Sequence, residues 1–255
     1  MLKAQTHSIA SISEIEKKEL YQLFSRYYEA SDFEKFIKDF DSKDDVILLR
    51  CKEEGIIRGF STLKKLQFTH NGKVRVGIFS GDTIIDENFW GATALTFEFF
   101  KYVLGVKRKH LFQDVYWLLI SKGFKTYLLL ANNFQTYYPR FDRETPNEVQ
   151  SFMDSSWLEL YPKDYCLDKK ILLTANKYDR LKEHVAKIGE KELSNPKIAF
   201  FQDKNPRWAQ GDELCCVGRV DLGLCIRYSS RTLYKLIKCQ LNRLKGILMP
   251  IRSKN

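Results

Sequence analysis

The sequence predicts an α/β fold of the α+β kind. A mixed, mostly antiparallel sheet carries helices on both faces over residues 1–144, and a C-terminal α+β extension occupies 145–255. Three observations predict it. The apolar period changes from helical to strand-like between Phe40 and Val46. An Asn71-Gly72 hairpin signal precedes a long apolar stretch. After Asn88 the period becomes helical again, ahead of a short apolar run, Val115–Ile120.

The elements follow in order. Ser11 or Ser13 can cap a first helix, with Glu14 and Glu16 in its first turn and Ile12, Ile15, Leu20, Leu23, Phe24 and Tyr27 at roughly helical spacing. Ser31-Asp32 opens a second, carrying Phe33, Phe36, Ile37 and Phe40. Val46–Cys51 and Ile56–Leu63 read as strands joined at Glu54-Gly55, and Val74–Ile85 reads as the longest strand. A helix is expected from Asn88 to about Gly105, then the basic loop Lys107-Arg108-Lys109-His110 and a strand at Val115–Ile120. Ser121 is placed to cap the next helix, through Phe124, Tyr127, Leu128 and Leu130.

In the second part, Thr145-Pro146-Asn147-Glu148 reads as a capping box opening a helix. Tyr178–Leu193 reads as helical, Ile198–Phe201 and Leu214–Val217 as strands, and Ser230–Gly246 as a final helix.

Composition narrows the class. Of 255 residues, 44% are apolar and 29% charged, which excludes wholesale disorder, and aromatics reach 14%. The net charge of +10 favours anionic partners. The six cysteines form no CxxC pair and the four histidines are scattered, so zinc-ligand spacing is absent and no metal is expected. With no apolar leader and no long apolar run, a reduced, cytoplasmic, soluble protein is the expectation. No P-loop, HExxH or GxSxG motif occurs.

The informative stretch is Ser80–Leu95, where a strand ends, a short turn follows and a helix begins with small residues. First-turn amides have no partner within a helix, so they can bind an anion with help from the dipole, and Gly91 and Ala92 leave the backbone approachable. A tight connection without a ligand is the other reading of the same residues.

This order of elements, with Phe89-Trp90-Gly91-Ala92-Thr93-Ala94-Leu95-Thr96 after the long strand and Ser121-Lys122-Gly123-Phe124 later, resembles the GNAT (GCN5-related N-acetyltransferase) superfamily over roughly residues 10–140. The resemblance implies a splayed, bulged central strand whose free amides pair with the pantetheine arm of an acyl thioester. It also implies a Q/R-x-x-G-x-G/A loop holding the coenzyme A pyrophosphate, with Phe89-Trp90-Gly91 similar to a Tyr-Trp-Gly variant. With Trp90 at the Q/R position, Thr93 and Leu95 occupy the small positions, an altered pyrophosphate loop in which a Cβ at Thr93 takes space a phosphate needs. The donor is then acyl-CoA or an acyl group on the phosphopantetheine of an acidic acyl carrier protein. The alternative is a GNAT-like binding protein without catalysis that recruits an acidic partner.

On this reading Thr83, Ile84, Ile85, Trp90, Gly91, Ala92 and Thr93 bind the arm and its phosphate. Acyl transfer to an amine needs a base for the ammonium proton and an acid for the thiolate. Asp82, beside a Gly81 that can mark a bulge, is the candidate base, and burial would raise its pKa. Tyr127 is the candidate acid, near where the family often carries one, with Tyr116 in reserve. Each also has a plain structural reading: a turn carboxylate for Asp82 and a core aromatic for Tyr127.

Beyond Asp221 no acid occurs among eight Lys and Arg, and Leu233, Ile237, Leu241, Leu244 and Leu248 form a stripe. This basic amphipathic helix is expected to pack on the core with a solvated basic face, or to dock a carrier protein or an anionic membrane. Nucleic acid is disfavoured, since no recognition motif accompanies the charge.

Overall fold

The computed structural model describes residues 2–29, 31–173, 180–182, 185, 187–221, 223–224 and 226–228. In chain order the elements are β1 (Leu2–Ser8), α1 (Glu14–Ser25), β2 (Tyr28–Glu29), α2 (Phe33–Asp41), β3 (Asp45–Cys51), β4 (Ile57–His70), β5 (Lys73–Ile85), α3 (Ala94–Lys109), β6 (Asp114–Ser121) and α4 (Phe124–Asn133). There follow β7 (Tyr137–Tyr138), α5 (Asn147–Leu160), β8 (Tyr165–Cys166), β9 (Ile171–Leu172), β10 (Arg180–Leu181), α6 (Glu190–Leu193), α7 (Pro196–Lys204) and β11 (Glu213–Arg219).

The strands build a mostly antiparallel sheet in the order β1-β3-β4-β5-β6-β11-β9-β8, with β7 also on β11. The β5–β6 pair is parallel, with α3 as its crossover. Asn71 and Gly72, both at positive φ, close the tight β4–β5 turn as the sequence predicts.

Helices cover both faces. Leu20 and Phe24 of α1 and Phe36 and Phe40 of α2 pack with Val46, Leu48, Phe60 and Ile84 on one half of the first face. Phe152, Met153 and Trp157 of α5 pack with Phe68, Phe79, Leu118 and Val217 on the other half. Trp117 points the opposite way, where its ring meets Phe99 of α3 at 4.7 Å and Phe134, just after α4, at 5.2 Å. On this second face Tyr127 of α4 also packs against Phe201 of α7.

The structure departs from the sequence reading at several points. Leu2–Ser8 forms a strand that the sequence reading leaves out, antiparallel to β3. Ile198–Phe201, expected as a strand, lies in α7, because the Asn195 side chain accepts from the Lys197 amide and Pro196 takes the first helical position. Tyr178–Leu193 is not one helix: its described residues include β10 and the short α6. No capping box forms at Thr145–Glu148, where Pro146 is itself the cap residue. Gly123, not Ser121, caps α4, and the Ser121 hydroxyl donates to the Gly123 carbonyl.

The stretch after residue 144 is not a separate lobe. Its strand β11 runs antiparallel to β6 and extends the same sheet, so one compact unit spans Met1–Val220. A second unit spans Asp221–Asn255. Of this unit residues 223–224 and 226–228 are helical, with the Asp221 carboxylate accepting from the Leu224 amide, and the predicted helix Ser230–Gly246 lies outside the described residues.

Candidate active site

Two local irregularities in β5 create the site. Between β4 and β5 the register slips from Leu63↔Ser80 to Ser61↔Thr83, so Gly81 and Asp82 together oppose Thr62. That is a bulge, which bends the strand and re-aims a side chain. A Cβ built on Gly81 would lie 2.6 Å from Thr62 Oγ1 and 3.0 Å from Lys43 Cε, so any larger residue must displace those side chains.

The second irregularity is a divergence. β5 and β6 pair in parallel from Arg75↔Asp114 to Ser80↔Leu119, and there the pairing stops although both strands continue. Thr83, Ile84 and Ile85 keep their pairing with β4 on one side, while the side towards β6 has no strand in register. The result is a slot between Gly81–Ile85 and Ile120–Ser121. It opens towards the start of α3 on one strand and the start of α4 on the other.

Asp82 stands at this divergence, within range of the charges of Asp39 on α2, Lys43, Lys122 and Glu213. Burial pushes its carboxyl up to about 7, and the nearby carboxylates of Asp39 and Glu213 act in the same direction. The ammonium groups of Lys122 and Lys43 pull against them. Lys43 is buried, with its Nζ 2.7 Å from Asp39 Oδ1. Lys122 Nζ lies 3.6 Å from Glu213 Oε1. A carboxyl balanced near neutrality can accept a proton without being permanently charged.

Tyr161 joins this group. The charges of Glu213, Asp39 and Asp82 act on its phenol, which burial above all holds well above the usual tyrosine range. Its ring packs on Phe79, the residue two before Gly81, at 6.1 Å. A phenol that stays protonated can donate a hydrogen bond to a departing thiolate.

The two sequence-nominated tyrosines lie elsewhere. Tyr127 is completely buried on the α4 face, where its hydroxyl donates to the Pro139 carbonyl at 3.0 Å. It is a core aromatic there, and burial raises its pKa strongly. Tyr116 is level with Gly77, so about 16 Å of strand separates it from Asp82 at ~3.3 Å per residue. It packs on Phe152 of α5 at 4.7 Å.

The turn after β5 differs from the expected helix start. The helix α3 starts at Ala94, not Asn88, because Glu87–Phe89 winds into a 3-10 turn capped by the Asp86 carboxylate. Within that turn the Trp90 amide donates to the Glu87 carbonyl and the Ala92 amide to the Phe89 carbonyl. Those two expected anion contacts are therefore engaged already. The α3 first-turn amides from Ala94 to Thr96 have no acceptor within the helix, and Gly91 sits at φ +88. The Trp90 indole donates to the Ile85 carbonyl at 2.9 Å, which folds it back over the strand end.

Asp82 is legible in the sequence, whereas Asp39, Lys43, Tyr161 and Glu213 come beside it only in the fold. The Asp39/Lys43 pair at i,i+4 beside Phe36 and Phe40 carried a faint signal, a lysine next to an apolar helical face. Tyr161, just past α5, carried none. Among the described residues no group of three or more His, Cys, Asp or Glu is placed to hold a metal ion.

No protein-family model matches the chain, and no curated protein matches it in sequence. Solved structures do share a likeness. A probable N-acyltransferase from Enterococcus faecalis is 12% identical with a TM-score of 0.40, over 55% of this chain and 37% of that one. A GNAT family N-acetyltransferase from Escherichia coli in complex with CoA is 10% identical with a TM-score of 0.35, over 48% and 64%. An acetyltransferase from Trypanosoma brucei is 15% identical with a TM-score of 0.39, over 57% and 100%. The aligned part spans less than two thirds of the Enterococcus and Escherichia chains.

Proposed function

We propose that this protein is an acyltransferase of GNAT-like architecture that moves an acyl group from a thioester to an amine or related nucleophile. The observation that carries the reading is the divergence of β5 from β6 after Ser80, beside a bulge that sets Asp82 in the opening. Unpaired strand amides on that side offer hydrogen bonds to the amide groups of a pantetheine arm. The arm lies between Gly81–Ile85 and Ile120–Ser121, its phosphate end reaching the α3 first turn and Lys125. The thioester carbonyl then meets Asp82 at the divergence.

The acceptor enters from the α2/α5 face. Asp82 takes the proton from the incoming ammonium, the amine attacks the thioester carbon, and collapse expels the thiolate. Tyr161 donates a hydrogen bond to that sulfur as the charge develops, and the thiolate takes up the second proton that the nitrogen sheds as the amide forms. The proton on Asp82 returns to solvent, so charge and protons balance over one turnover.

The donor is acyl-CoA or an acyl group on a carrier protein. The engaged amides of Trp90 and Ala92 favour the carrier's single phosphate over a pyrophosphate, since fewer donors remain in the turn. The same observation supports a second reading, a binding protein that keeps the slot without catalysis. Calorimetry of the full chain with coenzyme A, an acyl-CoA and an acylated carrier protein tests both. Binding accompanied by acyl transfer to an amine supports the first. Binding without transfer supports the second, and absence of all binding to the folded protein rejects the slot.

A further inference from the structure

At the end of the molecule remote from the slot, the turn between α3 and β6 holds Leu111 and Phe112 out of the protein. Phe112 is 103% exposed and Leu111 64%, so the phenyl ring touches almost nothing. Yet the turn is firmly built. Lys107 Nζ donates to the carbonyls of Leu111, at 3.3 Å, and Gln113, at 2.7 Å. The Gln113 amide donates to the His110 carbonyl, and Gln113 Oε1 lies 2.6 Å from His110 Nδ1. An ordered turn that displays its two largest apolar side chains is unusual, because burying them would be favourable.

The segment that forms it carries charge of one sign. From Phe99 to Gln113 there is no acidic residue, and Arg108 and Lys109 are exposed just behind the apolar pair. The parallel register brings the start of β5 alongside, adding the exposed Lys73 and the half-exposed Val74. The carboxylates at this end are engaged, Asp114 with Arg219 at 2.7 Å and Glu148 with Arg75 at 3.0 Å.

We propose that this turn docks the protein on an anionic phospholipid bilayer, Leu111 and Phe112 entering the interface while Arg108, Lys109 and Lys73 meet lipid phosphates and carboxylates. The shape decides for lipid. The feature is a convex tip with an apolar point and a cationic collar, which a fluid surface can envelop without a matching pocket. Neither component suffices alone, and here they are adjacent. The assignment is independent of the chemistry in the slot, about 24 Å away along the 16-residue α3.

The test is flotation of the full-length protein with phosphatidylcholine vesicles with and without phosphatidylserine. Binding is expected only with phosphatidylserine, falling as salt rises. Phe112→Ala should weaken it about tenfold through lost apolar burial, and Arg108→Ala with Lys109→Ala by a similar factor. These side chains are exposed, so the variants should keep the wild-type circular dichroism and Tm. Absence of binding to anionic vesicles overturns the proposal. So does undiminished binding by a Leu111→Ser, Phe112→Ser double variant, which would move the contact elsewhere on the chain. A concentration-dependent dimer abolished by Phe112→Ala would equally overturn it, since the tip would then be covered by a second copy.

Discussion

The Lys125 ammonium lies 3.8 Å from the centroid of the Trp90 ring, joining the first turn of α4 to the turn that precedes α3. The indole is also hydrogen-bonded to the end of β5, so this cation–π contact bridges the two walls of the slot at its mouth. Burial lowers the Lys125 pKa, so the ammonium is incompletely solvated and disposed to take an anionic partner. Lys125→Ala should weaken coenzyme A binding about tenfold, with a smaller salt dependence, while Lys125→Arg retains most of it. Isothermal calorimetry at two ionic strengths checks this.

As the proposed base, Asp82 should set the pH profile. With its carboxyl near 7, the basic form accumulates above neutrality, so turnover should rise through about pH 7 and level off. Asp82→Asn should lower kcat by roughly 10²–10⁴ and remove that limb.

The same group acts in the opposite sense on stability. A carboxyl whose folded pKa is raised binds its proton more tightly in the native state. Its favourable contribution is therefore present below the unfolded pKa near 3.8 and fades as pH climbs to about 7. The Tm advantage of Asp82→Asn over the wild type should be small at pH 4 and largest above pH 7. A constant difference across that range would show that the carboxyl is not shifted.

The roles proposed for Tyr161 and Tyr127 can be separated by experiment. Tyr127→Phe leaves the Pro139 carbonyl without its donor and should cost about 1 kcal/mol of stability with kcat unchanged. Tyr161→Phe should do the reverse, lowering kcat by about 10²-fold at nearly constant Tm. Denaturant melts and steady-state rates on both variants separate the roles.

Gly81→Ala should destabilise by about 1–3 kcal/mol, because the new methyl collides with Thr62 Oγ1. Thr62→Ala in the same chain removes the hydroxyl from the collision and should recover part of that loss. Additive costs in the double variant, measured by urea denaturation, would contradict the bulge geometry.

Much of this architecture is legible in the residues. Asn71-Gly72 announces the hairpin, Asp32 caps α2, and Gly81 beside Asp82 marks the bulge, since each encodes a local backbone requirement that a single residue type meets. What escaped was decided by partners distant in sequence. Leu2–Ser8 alternates weakly and becomes a strand only because β3 offers it a ladder. Ile198–Phe201 has the apolar content of a strand, and the Asn195-Pro196 start overrules it. Tyr161 comes under the influence of the Asp82 charge and packs on Phe79 because α5 folds back across the sheet, a placement no local pattern encodes. Tyr127 shows the converse: family-like position put it forward, and the carbonyl it bonds to gave it a different task.

The pairing of β11 with β6 has a consequence for how the chain matures. Until residue 219 has left the ribosome, the backbone of Tyr116–Ser121 has no neighbour on that flank. This row of apolar residues then stands as an open template for another nascent chain. A polypeptide cut short before Glu213 would keep that row permanently uncovered, and self-association rather than a smaller independent fold is its natural fate.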